Sequence, residues 1–287
     1  MTVCLALIAS ALFGAGVALQ QRPATEVPEQ YAGRPGLLLR VVRNPAWVAG
    51  VICEIGGFVT QIFALRKGSL VLVQPLITTS LLFTVALASW WTRQTVTPRD
   101  WLAIIGVAAG LGAFLVAASP SERSSGQAPA AEWVLWAASM AGALTLLIWA
   151  GLRGSKRKRA AALGLAAGFG DAFMAVLTKA FAHATDHGLA SAFTTWIPYA
   201  VAVAGVAAML LTQTAYQTGL PKISIPLITV SEPLLSCGIG VGLFGEAIHL
   251  GGLRAPIVVI SVLVMAAALV SLSRSSVAEA GEPVSTH

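Results

Sequence analysis

Three carboxylates interrupt otherwise apolar runs of this chain: Glu54 in VICEIGGF, Asp171 in GFGDAF and Glu232 in TVSEPLL. Placing a charge at the centre of a bilayer costs at least about 2.5 kcal/mol, so each acid needs a cation, a proton or a hydrogen-bonding neighbour. Thr229 stands three residues before Glu232, on the same face of a helix, where a hydroxyl and a carboxylate together can hold a cation or a proton. The alternative for each acid is a protonated group bonded between helices, with no ligand of its own.

Other chemistries lack their partners. Gly168-Phe169-Gly170-Asp171 is a GxGD tetrapeptide, found in intramembrane aspartyl proteases, but that chemistry needs two aspartates sharing a proton. The other two, Asp100 and Asp186, fall at a span edge and in a loop. KAFAHATDH places His183 and His187 four apart, yet supplies no third ligand, and Lys179, His183, Asp186 and His187 are expected to form a solvated loop cluster. Glu246 is expected at an interface. Cys4, Cys53 and Cys237 lie in apolar runs and offer neither disulfide nor zinc spacing. No Ser/His, HExxH or phosphate-loop pattern occurs, and the GxxxG pairs at Gly106/Gly110, Gly164/Gly168 and Gly238/Gly242 suit close helix packing. No catalytic residue, metal site or cofactor is expected.

The elements that must position these acids are membrane helices. The 287 residues are 56% hydrophobic and only 10% charged, with mean hydropathy +0.80, which excludes an ordinary soluble domain. The net charge of +6 resides in short loops, so topology explains it and nucleic acid is set aside. Apolar runs long enough to cross about 30 Å of hydrocarbon lie near 3–20, 46–66, 69–91, 101–118, 133–152, 160–182, 194–216, 223–245 and 255–272. An all-α polytopic fold of about nine transmembrane helices follows. All eight tryptophans fall near span ends, as headgroup-seeking rings do. The first span lacks the basic n-region of a signal peptide and is expected to be retained.

Lys and Arg set the orientation. With the N-terminus outside and the C-terminus inside, 13 of the 18 basic residues fall on the inner side, including the run RGSKRKR. The loop 21–45 is then cytoplasmic, 121–132 is an outer linker, and 274–287 is a disordered cytoplasmic tail.

Across the linker the chain repeats itself. VQPLITTS at 73–80 returns as SIPLITVS at 224–231, and at this offset of 151 seven of seventeen positions match from Ala64/Ala215 to Ser80/Ser231. The second, third and fourth spans match the seventh, eighth and ninth, and LFGAGVALQQ resembles the start of GFGDAFMAVL. Residues 1–120 thus form a first repeat of four helices. Residues 133–273 form a second half of five, of which the last four match the first repeat. Five spans separate the copies, so they insert in opposite directions, an inverted-topology repeat suited to rocking about a midplane site. Pro75 with Thr78, and Pro226 with Thr229, mark paired helix kinks beside that site, where freed backbone groups need local partners. Gln61 and Gln213, on the matched second and seventh spans, either line the cavity or bridge helices. At the offset of 151 Glu232 faces Leu81 and Glu54 faces Gly205, and by the Phe-Gly match Asp171 faces Ala15. The acids are therefore additions to the repeated scaffold.

The pattern A-x-x-x-G-x(6)-P-L-I-T, the Phe244-Gly245-Glu246 ending of the eighth span and the last span rich in small residues resemble the drug/metabolite transporter superfamily with EamA-like repeats. Nine spans with an outside N-terminus resemble in layout its NIPA-type magnesium transporter branch. The resemblance implies a secondary transporter in the cell membrane, carrying a small solute by alternating access with proton or cation coupling, and not an enzyme. Magnesium or another divalent cation is the alternative cargo, and a non-transporting scaffold or accessory protein the alternative role. Its partners are then the lipid bilayer and the small-molecule or cation substrate, with a homodimer possible. The pathway residues are Glu54, Asp171, Glu232, Thr78, Thr229, Gln61 and Gln213.

Overall fold

Apolar runs bounded by Pro, Ser and Thr fold as helices because a backbone in lipid must satisfy its own polar groups. The computed structural model describes residues 1–25, 44–92, 97–120, 130–216 and 221–273. Its helices are α1 (Thr2–Thr25), α2 (Pro45–Arg66), α3 (Leu70–Ile77), α4 (Ser80–Thr92), α5 (Pro98–Ala118), α6 (Ala130–Arg153), α7 (Lys156–Ala184), the short α8 (Leu189–Phe193), α9 (Ile197–Tyr216), α10 (Pro221–Phe244) and α11 (Arg254–Ser273). Local chemistry explains several starts. Asn44 caps α2, Ser69 caps α3, and Thr97 forms a capping box with Asp100 at α5.

Among the described residues, eight apolar stretches are long enough to cross a membrane, α3 and α4 forming one of them. The chain is a polytopic helical membrane protein. The seventh expected span is α9, whose apolar stretch Ile197–Thr212 is shorter than the other eight. Helix α1 runs on to Thr25, past the expected loop start at residue 21. Residues 26–43 of that loop, 121–129 of the linker and the 274–287 tail lie outside the described residues.

Glycines set the helix contacts. Helix α1 runs antiparallel to α2, with Gly57 against Phe13 and Gly16 against Glu54, and parallel to α3 and α4, with Gly14 against Ser80 and Phe83. The same plan recurs downstream. Helix α7 runs antiparallel to α9, with Gly170 against Ala208, and parallel to α10, with Gly164 against Ser224 and Gly168 against Ile228 and Ser231. Helices α5 and α11 pair with each other, Gly110 against Ser261 and Met265. Helix α6 packs on α7 at the periphery and is the least enclosed span, whereas α7 is the most enclosed.

One expected kink is a break. The helix stops at Ile77, turns through Thr78 and Thr79, and resumes at Ser80. Pro75 donates no bond to Val71 O, near which Cys237 Sγ stands at 4.0 Å, and Thr78 and Thr79 donate to the carbonyls of Pro75 and Leu76 at 2.7 and 2.6 Å. Around Pro226 and Thr229, by contrast, α10 is unbroken.

Candidate functional site

Helices α7 and α10 lie side by side and point the same way, so residues at matched depth meet. Asp171 is the sixteenth of the 29 residues of α7, and Glu232 the twelfth of the 24 in α10, so both are at mid-helix. Gly168 lets the two helices approach, since a Cβ there would overlap Ser231 Oγ. Ser231 immediately precedes Glu232 and Gly168 stands three residues before Asp171, so this contact puts the two acids on facing stretches of the paired helices. Both are half-buried. Thr229, half-buried, is on the Glu232 face of α10. Pro233, one turn after Thr229 within α10, has no N–H to give to the helix ladder.

A polar seam climbs from this pair. On α7, Asp171, Ala175 and Lys179 recur at four-residue steps; on α10, Glu232, Ser236 and Gly240 do the same. At the top of the seam Lys179 Nζ lies 2.5 Å from Glu246 Oε1, with the two side chains only 2% and 1% exposed. Glu246 also accepts from the backbone N–H groups of Leu70 and Val71 at 2.6 and 2.8 Å. Its carboxylate therefore occupies the N-terminus of α3, where the helix field favours an anion. Gly245, at φ +62°, turns the chain so that Glu246 points back into the bundle, and Gly240 leaves room for its carboxylate. Aromatic rings cover the pair: Phe244 lies 5.2 Å from Lys179 Nζ, and Trp133 packs edge-on against both Phe244 and Trp196.

These positions correct one expectation and add to another. Lys179 does not belong to a solvated loop, and Glu246, just past the end of α10, is enclosed by protein; each is buried because the other neutralises it. Asp186 does lie in the open, holding Arg66 at 2.7 Å and His183 at 3.8 Å, while the side chain of His187 is outside the described residues. The spacing of eight between Asp171 and Lys179 was a usable sequence signal, because two charges on one face of a long apolar helix demand facing charges.

Of the other expected residues, Glu54 is at mid-helix in α2, tenth of 22, with its stem against Gly16 in the first half. Gln61 is buried on α2, Thr78 is buried at the helix break, and Pro226 is buried within α10. The side chain of Gln213 is outside the described residues. Gln74, beside Pro75, was missed: it is fully buried and neither its amide nitrogen nor its oxygen makes a hydrogen bond. Among the described residues, no three His, Cys, Asp or Glu side chains converge in a way that could hold a metal ion.

The chain is 26% identical to an uncharacterized protein of Corynebacterium glutamicum over 98% of its own length and 97% of that protein's. No protein-family profile and no solved structure matches it.

Proposed function

We propose that this protein is a secondary transporter of the drug/metabolite type, moving a small solute across the cell membrane by alternating access, with Asp171 and Glu232 as the proton- or cation-coupling pair. The observation that carries the reading is the pair itself: two carboxylates at mid-helix, on adjacent parallel helices that approach closely at Gly168 and Ser231. Two acids so placed exchange protons for a cationic cargo because a low-dielectric site cannot hold two bare charges. The recurring plan of α1 with α2, α3 and α4, and of α7 with α9 and α10, supports the inverted repeat and hence a rocking mechanism. With the N-terminus outside, the Lys179–Glu246 end faces outward and the basic run at 153–159 faces inward. The structure then corresponds to a state closed at its outer end.

The test is uptake by the purified protein in liposomes, with and without a pH gradient, for a panel of organic solutes and for Mg²⁺. Flux that depends on the gradient and is lost in Asp171→Asn with Glu232→Gln supports the reading. Equal flux in the variant refutes the site, and no flux of any solute favours a scaffold role.

A further inference from the structure

The seam between the acid pair and the Lys179–Glu246 closure contains two polar side chains that the protein leaves without partners. Gln74 is fully buried, with neither Nε2 nor Oε1 bonded, and Ser236 is fully buried with Oγ unbonded. A buried amide or hydroxyl without a partner costs about 1–3 kcal/mol, so three such atoms in a packed region call for a ligand group.

Helix register brings the two residues together. Helices α3 and α10 run antiparallel, with Leu70 against Gly240 and the Val71 carbonyl 4.0 Å from Cys237 Sγ. One turn further along α3 is Gln74, and one turn back along α10 from Gly240 is Ser236. Ser236 also stands one turn above Glu232 on the same face, about 6 Å along the axis. On the neighbouring α7, the residue one turn above Asp171 is Ala175, a small side chain packed in the core at this level.

We propose that Gln74 and Ser236 form the recognition subsite for the neutral hydrogen-bonding end of the transported solute, a small organic cation whose amine is held at Asp171 and Glu232. This rests on the transporter reading and gives its cargo a shape. The amine lies at the acid pair, and a hydroxyl or amide about 6 Å away lies at Gln74 and Ser236. A primary amide or a hydroxyl both donates and accepts, which matches the donor and acceptor of Gln74 and the hydroxyl of Ser236. An apolar end group would leave the same three atoms unbonded and is rejected for that reason.

The experiment is calorimetric titration of the full chain in lipid nanodiscs with aminobutanol, aminobutanamide and the apolar pentylamine. The wild type is expected to bind the first two at least about tenfold tighter than pentylamine. Gln74→Met and Ser236→Ala, which keep the volume or remove one atom, should shrink that ratio to within about twofold. Asp171→Asn should weaken all three amines alike. An unchanged ratio in Gln74→Met and Ser236→Ala, with the melting temperature moved or not, overturns the subsite, because a packing or water-bonding role affects stability and leaves selectivity alone. If the ratio persists while Asp171→Asn and Glu232→Gln change neither binding nor liposome flux, it is the transporter reading that fails. Binding of none of the three amines overturns the cationic cargo.

Discussion

Removing Glu246 is expected to cost more than removing Lys179, although the two form one ion pair. In Glu246→Gln the ammonium loses its counter-charge and keeps contacts such as the Gly68 carbonyl at 3.5 Å and the face of Phe244 at 5.2 Å. Breaking a buried pair from one side costs about 3–5 kcal/mol, because the remaining charge stays buried. In Lys179→Met the carboxylate still accepts from Leu70 and Val71 and still sits at the positive end of α3. Those two charge-assisted bonds recover part of the penalty, so the expected loss is about 2–3 kcal/mol. The double variant should cost at least about 1 kcal/mol less than the sum of the singles, since the residues touch.

Arg66→Gln is the internal control, because its bond to Asp186 is made with side chains 33% and 46% exposed. An exposed pair of this kind contributes less than about 1 kcal/mol. Unfolding titrations of the purified protein in mixed micelles measure all four variants. The reasoning is wrong if Lys179→Met costs more than Glu246→Gln, or if Arg66→Gln costs as much as either. The closure makes a second demand on the same variants. The pair joins α7, the turn after α10 and the start of α3, so if the protein alternates as proposed, a state open at this end must break it. A loss of about 3 kcal/mol from the closed state shifts that equilibrium by roughly 150-fold. A cysteine at position 236, with the native cysteines replaced, should therefore react faster with an external thiol reagent in Lys179→Met than in the parent.

Gly168→Ala forces a methyl into Ser231 Oγ and to 3.0 Å from the Ile228 carbonyl, and should lower stability by about 1–3 kcal/mol, with Ser231→Ala recovering only part. Asp100→Ala removes one side of the α5 capping box, in which Asp100 accepts from the Thr97 N–H at 2.9 Å. It should cost about 0.5–2 kcal/mol by thermal melt without altering flux. Ala175→Leu overpacks the buried level between the acid pair and Lys179–Glu246; if the protein transports as proposed, solute uptake should collapse while the helical circular dichroism signal stays intact.

Helix positions were legible in the sequence because length and apolarity decide them: the expected 46–66 is α2, 101–118 is α5 and 255–272 is α11. The mid-helix acids were legible for the same reason, since an acid in an apolar run is visible without a fold. What faces them was not. Lys179 and Glu246 are 67 residues apart, and nothing local indicates that Gly245 turns Glu246 inward. Gln74 was hidden by its neighbours: beside a conspicuous Pro-Leu-Ile-Thr it passed as part of the kink, and only full burial without a partner sets it apart.

The identical letters of the two halves also give different backbones, and the reason lies one residue past them. After Pro-Leu-Ile-Thr the first half has Thr79 and the second has Val230. Thr79 Oγ1 bonds the Leu76 carbonyl three residues back and shares a 2.7 Å bond with Ser10, so the chain there follows tighter three-residue bonds, Leu81 N–H to Thr78 and Leu82 N–H to Thr79. Val230 offers no such competitor. Ser231 bonds the Leu227 carbonyl four residues back, which suits a continuous helix. Proline alone therefore does not suffice to break a helix here, since α10 runs on through Pro226, and the hydroxyl at position 79 is the local difference that accounts for the break. Thr79→Val, paired with Ser10→Ala so that no buried hydroxyl loses its partner, should restore helical bonding across 78–80 and slow amide exchange at Leu81 and Leu82 by about tenfold. Unchanged exchange at both amides would mean that Pro75 is sufficient for the break, and the argument from Thr79 would be lost.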